Sequence, residues 1–424
     1  MAARVMGGFT SCVRLRFDPE VGRFCIGWSG VEHRGFFLIA DITGYTTYLN
    51  ESELEHARQT LTDLLELVVE QTRPPLTVAQ LEGDAVLSYA FAKGFVTAQT
   101  LLERIEETYF EFRRAIDLMV LNNTCKCNAC ANVSALDLKF LVHYGSFAIQ
   151  SVGDIRQLVG SDVNMVHRLL KNSVTADTGI RAYLLLTEAA VNALGLDTGA
   201  EGMVAHREAV PDFGEIMVTV KDMQPVYEVT KRVGRIFYGP EDVLMTLATD
   251  IPMPIEHVWN YANQSEFRNI IIGSDGYEVM DRKNGRVGAG SMYQCYHGKM
   301  IVSQLVMEWL PFERVVLQQL IPIPGRRATQ SIIDLKFGPI DEGTRFTQTA
   351  TKPTGPLLQR SLAKVMMTAR RSRTQADMDG FREQIIEHYA ANYQHEKTQG
   401  EIPTSLIGSA ASDSLKESQA DFHR

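Results

Sequence analysis

The sequence lacks an apolar run of the roughly 18 residues that a membrane-spanning helix requires. Its beginning, with Arg4 and a weakly apolar start, also lacks the apolar segment and small-residue cleavage site of a secretory signal. These two absences predict a cytoplasmic protein without a transmembrane segment.

An excess of positive charge is absent as well. The 424 residues include 42 Lys and Arg against 51 Asp and Glu, which gives a net charge of −9 at pH 7. This balance argues against a general nucleic-acid or anionic-membrane binder, because such proteins carry extended basic surfaces. A local basic pocket for phosphates remains compatible with it. We therefore expect no nucleic acid among the partners.

Cysteine is scarce, with six residues, and disulfide bonds seldom persist in the cytoplasm. Three of the six form the pattern Cys125-x-Cys127-x-x-Cys130, in which closely spaced thiols can converge on one soft metal ion. Zinc at this cluster would need a fourth ligand, for which a histidine or a further cysteine is a candidate. Inert or redox-active thiols are the alternative. The remaining three cysteines are predicted to be ordinary free thiols: Cys12, Cys25 and Cys295.

The chain is long enough for two or three domains. Its patterns indicate an extension over residues 1–35, a first domain over 36–232, a second domain over 243–395 and a tail over 396–424. The tail is rich in Ser, Ala, Glu, Gln and Lys, and we expect it to be disordered.

Hydrophobic periodicity predicts the elements of both domains. In the first domain it indicates a buried strand over 36–42, a helix over 52–71, a hairpin over 76–91, a long helix over 94–122, a strand over 138–143, helices over 162–172 and 181–194, and a closing pair of strands over 216–230. In the second it indicates a strand, a helix, several strands with Gly-rich turns and one helix over about 356–392.

Two carboxylates of the first domain occupy positions suited to metal ligands. Asp41 ends the buried strand, and Asp84 follows Gly83 on the hairpin, where a glycine lets phosphate approach the backbone. The N–H groups of residues 42–45 lie at a predicted helix start, which favours phosphate. Two such acids could bridge two Mg²⁺ ions. Alternatively, Asp41 caps a helix and Asp84 fills a turn.

A second cluster contains Asn164 and Arg168, which lie four residues apart and share one face of a helix. An amide and a guanidinium in this arrangement can orient a ribose and neutralise charge on a transferring phosphoryl group. The alternative is a solvated helix face with an asparagine near its cap.

Three segments together resemble the motifs of class III adenylate and guanylate cyclases. Phe37-Leu-Ile-Ala-Asp-Ile-Thr-Gly-Tyr-Thr46 is similar to the first metal motif, Glu82-Gly-Asp-Ala85 to the second, and Gly160-Ser-Asp-Val-Asn-Met-Val-His-Arg-Leu169 to the Asn-x-x-x-Arg motif. His143-Tyr-Gly145 and the segment around Lys221 match further strands of that family. The resemblance implies an α+β fold whose catalytic domain is ferredoxin-like.

By this resemblance, Asp41, Asp84 and the Ile42 carbonyl would bind two Mg²⁺ or Mn²⁺ ions. Asn164 would orient the ribose, Arg168 would stabilise the transition state, and Lys221 would contact phosphate. The residues expected to contact the nucleotide are Ile42, Thr43, Gly44, Tyr45, Gln80 and Gln157.

The implied activity converts a nucleoside triphosphate into a 3′,5′-cyclic nucleotide and pyrophosphate. The implied assembly is a head-to-tail homodimer, in which one chain supplies the metal ligands and the other supplies Asn164 and Arg168. A nucleotide-binding sensor without turnover is the alternative.

Two positions depart from the adenylate cyclase pattern. Gln80 stands where those enzymes usually carry a lysine, and Gln157 stands where the partner acid is expected. Glutamine both donates and accepts hydrogen bonds, so these two side chains could read a base edge without dictating adenine. They could also be ordinary surface residues.

Residues 243–393 resemble the START-like helix-grip superfamily, which includes polyketide cyclases and lipid-binding domains. The resemblance is carried by Pro254-Ile-Glu-His-Val-Trp259, Gly288-x-Gly290, the segment Glu308 to Arg314, Gly343-Thr-Arg-Phe346 and the final helix. It implies a curved antiparallel sheet around a long helix, with an apolar cavity for a small hydrophobic molecule or lipid. His297 and Glu308 are candidate cavity groups, although each could be an ordinary polar residue. A ligand sensor is favoured over a second enzyme, and a third hypothesis assigns the main chemistry to this domain.

Overall fold

The computed structural model describes residues 16–18, 23–25, 32–92, 97–121, 125, 127–152, 155–231, 235–282, 285–323 and 328–399. Most of the predicted extension, Cys12 and the tail beyond residue 399 lie outside these residues. We call residues 32–231 the first unit and residues 235–399 the second unit. Each contains its own large sheet.

The first unit is built on an eight-stranded sheet with helices on both faces. A separate two-stranded pair, β1 (Arg16–Asp18) and β2 (Arg23–Cys25), precedes it. The strands of the eight-stranded sheet are β3 (His33–Thr43), β4 (Thr77–Glu82), β5 (Ala85–Phe91), β6 (Asp137–Val152), β7 (Ile155–Val159), β8 (Tyr183–Thr187), β9 (Val204–Val210) and β10 (Gly214–Asp222). Their order is β4-β5-β3-β6-β8-β10-β9, and β7 pairs with the far half of β6. Only the pair of β6 and β8 is parallel among these described strands.

Eight α-helices cover this sheet in the described part of the first unit. They are α1 (Tyr45–Asn50), α2 (Leu54–Thr72), α3 (Ala98–Leu121), α4 (Asn128–Asn132), α5 (Ser161–Leu169), α6 (Val174–Thr178), α7 (Glu188–Leu194) and α8 (Gln224–Lys231).

Alternation along β3 separates the two faces of the sheet, since successive side chains of a strand point to opposite sides. Leu38 and Ala40 pack into the core beneath α2 and α3. Phe37 and Ile39 pack into the opposite core, together with side chains of α5. Asp41 continues this second series, so it belongs to the face on which α5 lies.

The second unit is a seven-stranded antiparallel sheet in the order β11-β17-β16-β15-β14-β13-β12, so its last strand pairs with its first. The strands are β11 (Val243–Ile251), β12 (Gly276–Asp281), β13 (Met292–His297), β14 (Met300–Leu310), β15 (Arg314–Ile321), β16 (Thr329–Ile340) and β17 (Gly343–Thr351). The helices are α9 (Ile255–Ala262), α10 (Ser265–Ile272), α11 (Leu357–Ala369) and α12 (Arg371–Gln399). Helix α12 packs on α10 and β11 and buries Met378, Phe381 and Ile385.

The two units meet along α3. Glu103, which is 3% exposed, accepts hydrogen bonds from the indole N–H groups of Trp259 at 2.7 Å and Trp309 at 2.8 Å. The next residue of α3, Arg104, forms an ion pair of 2.6 Å with Glu256. Buried side chains of both units therefore depend on one another for their polar partners.

Three predicted elements are wrong. Residues 183–187 form β8 rather than the first part of a helix, because all five side chains are buried in the middle of the sheet. Residues 224–231 form α8 rather than a strand, with Tyr227 buried against α3. The final helix is divided at Arg370, where α11 ends and α12 begins.

In the parts of the chain that the structure describes, every helix is too short or too polar to span a bilayer.

Candidate nucleotide and metal site

The structure brings Asp41 and Asp84 together. Asp41 lies opposite Ala85 in the pairing of β3 with β5, and the Ile42 N–H donates to the Asp84 carbonyl at 3.1 Å. Burial raises the pKa of the Asp84 carboxyl above its usual value, and the nearby charge of Asp41 raises it further. Two acids whose charges repel in this way attract a cation.

Lys139 already supplies one positive charge at this pair. Its Nζ lies 2.9 Å from Asp41 Oδ2, on the strand position opposite Asp41. Burial disfavours the charged lysine, but the neighbouring Asp41 raises the pKa of Lys139 above its usual value. Sequence reasoning missed Lys139, although a lysine inside the apolar run of β6 was a usable signal.

The donor set fits divalent cations. Carboxylate and carbonyl oxygens are the ligands that Mg²⁺ and Mn²⁺ prefer. The single ammonium of Lys139 balances only one of the two carboxylates. The carboxylates of Asp41 and Asp84 and the carbonyl of Ile42 are therefore the groups that would hold such ions.

A tight turn follows Asp41. Gly44 adopts a left-handed conformation with φ 91° and begins α1, a geometry that favours glycine. The Arg181 guanidinium lies 3.7 Å from the place where a Cβ on Gly44 would sit, and Thr43 Oγ1 donates to the Arg181 carbonyl at 3.4 Å. Tyr45 is partly buried and packs against the core beneath α2 and α3. Arg181, a second cation that sequence reasoning missed, thus stands beside the amides expected to bind phosphate.

Helix α5 carries Asn164 and Arg168 as the spacing predicts. Asn164 is exposed, whereas Arg168 Nη1 donates to the Pro211 carbonyl at 2.9 Å and pairs with the Asp212 carboxylate. Asp212 belongs to the turn between β9 and β10 and is 75% exposed. Within one chain, therefore, Arg168 points to this turn.

The hairpin of β4 and β5 touches α5 through a pair of side chains next to Asp84. His167 Nδ1 lies 2.9 Å from Glu82 Oε2, and the Gln80 amide donates to Glu82. Gln157 is exposed on β7. Strands β4 and β7, which carry the two glutamines, lie close to each other, and over residues 77–91 and 157–169 no hydrogen bond joins Gln80 to Gln157.

Lys221 lies elsewhere. In β10 its neighbour Val220 belongs to the core of the α5 face, so Lys221 points to the opposite side of the sheet from Asp41. There its Nζ lies 2.8 Å from both Glu106 and Glu201. It is 8% exposed, and we assign it no phosphate contact.

The three predicted cysteines converge, and His56 from α2 joins them. The ligand atoms of His56, Cys125, Cys127 and Cys130 all lie within 4.8 Å of one another. Sequence reasoning left the fourth member of this cluster open, because His56 lies 71 residues before Cys127.

In the second unit, only one of the two residues predicted to line a cavity, His297, does so. His297 lines a cavity of about 130 Å³ between the sheet and helices α10 to α12. Glu308 does not line it. This side chain is fully buried in an ion pair of 3.1 Å with Arg314, and it accepts a hydrogen bond from the Ile236 N–H.

A larger cavity, of about 720 Å³, lies between the units beside α3. Its lining is rich in acids, with Glu106, Glu107 and Glu111 facing Arg114 and Arg286. It is remote from the chemistry expected at Asp41 and Asp84, neither of which lines it.

Part of the chain is similar in sequence to uncharacterised proteins. Residues 61–178 match the model of a family described as a protein of unknown function (DUF2652). The uncharacterized protein Rv2561/Rv2562 of Mycobacterium tuberculosis is 31% identical over 134 residues, which are 32% of this chain and 60% of that protein. The chain thus spans less than two thirds of the length of this relative.

Solved adenylyl cyclases are weakly similar in structure. A bacterial light-regulated adenylyl cyclase is 11% identical, with a TM-score of 0.36 over 50% of this chain and 60% of that one. The adenylyl cyclase CyaB from P. aeruginosa is 16% identical, with a TM-score of 0.34 over 46% of this chain and 97% of that one. These scores describe a weak similarity to cyclase domains and assign no activity to this chain.

Proposed function

We propose that the first unit binds a nucleoside triphosphate with two divalent cations and converts it into a 3′,5′-cyclic nucleotide and pyrophosphate. The meeting of Asp41 and Asp84 beside the Gly44 turn supports this function most directly. Arg181 adds positive charge next to the turn, where a triphosphate would carry its negative charge.

Each side chain has a role in this scheme. Asp41, Asp84 and the Ile42 carbonyl would hold Mg²⁺ or Mn²⁺, which when bound favours ionisation of the ribose 3′-hydroxyl and neutralises the triphosphate. The Ile42 amide already donates to the Asp84 carbonyl, so the backbone amides of residues 43–45 and the Arg181 guanidinium orient the phosphates. Asn164 orients the ribose, and Arg168 balances charge that develops at the α-phosphate.

A second copy of the chain completes this site. Arg168 turns toward Asp212 within its own chain, so it reaches a triphosphate only after exchanging that partner. A head-to-tail homodimer would bring Asn164 and Arg168 of one copy to Asp41 and Asp84 of the other, which is the shared-site assembly that the motifs imply. The base remains open, because Gln80 and Gln157 accept several base edges.

The decisive experiment incubates the purified protein with ATP, GTP, CTP and UTP in turn, with Mn²⁺, and separates the products by chromatography. We expect a cyclic product from at least one triphosphate, and its loss in Asp41→Asn and Asp84→Asn. Asp250→Asn is the matched control, since this acid is exposed in the second unit and pairs with Arg345. Binding of a triphosphate without any cyclic product would contradict the proposed reaction.

A nucleotide sensor without turnover is the second candidate. It is favoured by two ion pairs, Lys139 with Asp41 and Asp212 with Arg168, which occupy groups that catalysis needs. Calorimetry would then show triphosphate binding that Asp41→Ala removes, while no cyclic nucleotide forms. Robust formation of a cyclic nucleotide excludes this candidate.

For the second unit we propose a START-like module that binds a small hydrophobic molecule or lipid and modulates the first unit through α3. The cavity between the sheet and helices α10 to α12, and the antiparallel sheet closed by a long helix, support this role. The competing assignment of the main chemistry to this unit fails if residues 1–232 alone retain the cyclase activity.

A further inference from the structure

The cluster of His56 and three cysteines has the dimensions of a tetrahedral metal site. His56 Nδ1 lies 3.2 Å from Cys127 Sγ and 3.8 Å from Cys125 Sγ. A tetrahedral zinc ion with Zn–N near 2.0 Å and Zn–S near 2.3 Å separates nitrogen from sulfur by about 3.5 Å. The two observed separations lie on either side of that value.

We propose that His56, Cys125, Cys127 and Cys130 bind one Zn²⁺ ion. The set provides four soft or borderline ligands, which is the Cys₃His composition of structural zinc sites. The Cys130 N–H also donates to Cys127 Sγ at 3.4 Å, so the short helix α4 already presents a backbone donor to one ligand sulfur. Four protein ligands leave no open position, so the ion has a structural role.

The site joins two parts of the first unit that are distant in sequence. Glu53, just before α2, accepts a hydrogen bond from the Ala129 N–H at 3.1 Å, which links the same two segments. Ala129 and Tyr48 of α1 belong to one core. Because α1 directly follows the Gly44 turn, zinc would hold the scaffold behind the proposed phosphate turn, and this role does not depend on cyclase turnover.

Zinc content of the reduced, full-length protein tests the site. We expect about one zinc per chain by elemental analysis, at least about a tenfold lower affinity in His56→Gln, and retention in His56→Cys, which restores four ligands. Cys295→Ser, which removes a buried thiol of the second unit, is the control and keeps the metal.

Cobalt provides a second readout in the same variants. Co²⁺ should give the d–d bands of tetrahedral coordination and thiolate charge transfer in the wild type, with altered bands in His56→Gln. Absence of stoichiometric zinc and of tetrahedral cobalt bands in folded protein would overturn the site. Equal zinc affinity in wild type and His56→Gln would remove the histidine from it.

A separate observation concerns Arg268 in the second unit. This side chain is 3% exposed, Nη1 donates to the Ala262 carbonyl at 3.3 Å, and the guanidinium lies 4.3 Å from the centre of the Tyr293 ring. Its Nε and Nη2 atoms are buried without a hydrogen-bond partner among the described residues. Buried, unsatisfied guanidinium donors are costly and call for an acceptor.

Arg268 lines the 130 Å³ cavity together with a second arginine, Arg370. Burial lowers the pKa of His297, which favours its neutral form. Arg370 and His297 also line it, and no acidic side chain does so among the described residues. The other walls are largely apolar, with Ile271 and Leu335 as examples. An occupant therefore meets apolar walls and one positively charged end.

The geometry points to a small carboxylate with one ring or a short branched chain as the ligand of this cavity. A carboxylate accepts two parallel hydrogen bonds from a guanidinium. An apolar cavity of about 150 Å³ holds benzene. A cavity of about 130 Å³ therefore limits the apolar part of the ligand to about one ring or a short chain, with the carboxylate at the Arg268 end. This inference rests on the proposed ligand-binding role of the second unit and replaces an unspecified hydrophobic ligand with an anionic one.

Thermal shift and calorimetry with benzoate, hexanoate and the neutral probe benzyl alcohol distinguish an anionic ligand from an uncharged hydrophobic one. We expect at least one carboxylate to bind about tenfold or more tightly than benzyl alcohol. Arg268→Met should lose that preference and, without ligand, should melt at a higher temperature, because an unpaired buried charge is gone. Arg360→Met, an exposed arginine of α11, is the control.

The outcomes distinguish the anionic ligand from the general ligand-binding role of the second unit. Binding of benzyl alcohol with no preference for either carboxylate would overturn the anionic ligand while leaving the ligand-binding role intact. Binding of none of the probes would count against both. Unchanged carboxylate affinity in Arg268→Met would show that the anion is held elsewhere.

Discussion

Glu103 shows most clearly how a single residue depends on both units. Its carboxylate is buried between the indole donors of Trp259 and Trp309. Burial raises the pKa of Glu103 to about 7, although the charge of Arg286 and the hydrogen bonds act in the opposite direction. The side chain therefore changes its protonation near neutral pH, where both units meet.

The sign of the resulting pH dependence follows from the raised pKa. Glu103 binds its proton more tightly in the folded than in the unfolded chain, so its contribution to stability is fully present below about pH 4.5 and is lost as pH rises through about 7. Burial also raises the pKa of Glu107 to about 7, whereas burial lowers that of His257 to about 4. Comparison of the wild type with a variant at position 103 separates the pH-dependent stability due to Glu103 from that due to Glu107 and His257.

We predict that Glu103→Gln is less stable than the wild type by about 1–3 kcal/mol near pH 5, because glutamine accepts from only one of the two indole groups. The difference between the two proteins should shrink toward pH 8. Urea unfolding from pH 5 to 8 measures it, with the exposed Glu383→Gln as control. An equal difference at every pH would contradict the assigned protonation.

Single residues of the candidate site were predictable where local pattern suffices. Asp41 and Asp84 follow from a strand end and a glycine turn, and the structure places them side by side. Lys139 and Arg181 reach the same place only through strand pairing, and His56 reaches the cysteines only through packing of α2. Such contacts depend on tertiary register, which no local spacing encodes.

Among the elements, the junction of β6 and α5 decides where Asn164 and Arg168 lie. The Ser146 N–H donates to Asp162 Oδ2 at 2.6 Å, which ties the start of α5 to β6. A Cβ on Gly145 would overlap the Asp162 carboxylate. Gly145 is therefore required for close approach of the acid that positions the helix.

We predict that Gly145→Ala destabilises the first unit by about 1–3 kcal/mol, because the added methyl group must displace Asp162. Any cyclase activity should fall as well, since α5 shifts with Asp162. Chemical denaturation and product assays measure the two effects. Gly338→Ala in β16, where an added Cβ meets nothing within 4 Å, serves as control. Equal stabilities of the two variants would refute this explanation.

Elements with a clear hydrophobic periodicity were predicted correctly. Elements whose sequence is compatible with both a helix and a strand were not. Tyr-Leu-Leu-Leu-Thr of β8 is buried on both faces, so its sequence has no alternation to distinguish a strand from a helix. Val226-Tyr-Glu-Val229 has the β-branched and aromatic residues typical of a strand, yet Tyr227 donates to Asp117 of α3 at 2.6 Å, which favours packing as a helix.

At the scale of the whole molecule, four charges join the units, of which Lys221 and Glu201 are buried and Arg286 and Glu106 are half-buried. Arg286 of the second unit lies 2.7 Å from Glu106 and 2.6 Å from Glu201, and Lys221 contacts the same two acids. Two cations thus balance two acids at the edge of the 720 Å³ cavity. The partners are up to 180 residues apart in sequence, so no motif could have revealed this interface.

We predict that Arg286→Met lowers the free energy of unfolding by about 3–5 kcal/mol, because Glu106 and Glu201 then share one cation in a buried site. The two units should also separate into two unfolding transitions in calorimetry. Arg345→Met removes an exposed pair with Asp250 and should cost about 1 kcal/mol or less. A single transition of unchanged midpoint in Arg286→Met would argue against coupling through these charges.

The pairing of β11 with β17 has a consequence for biosynthesis. The sheet of the second unit cannot close until Gly343–Thr351 has left the ribosome, roughly a hundred residues after the first unit is complete. Until then, Glu103, Arg104 and Glu106 of α3 face water without Trp259, Glu256 and Arg286. A nascent chain therefore carries its future interface as a hydrated, charged surface.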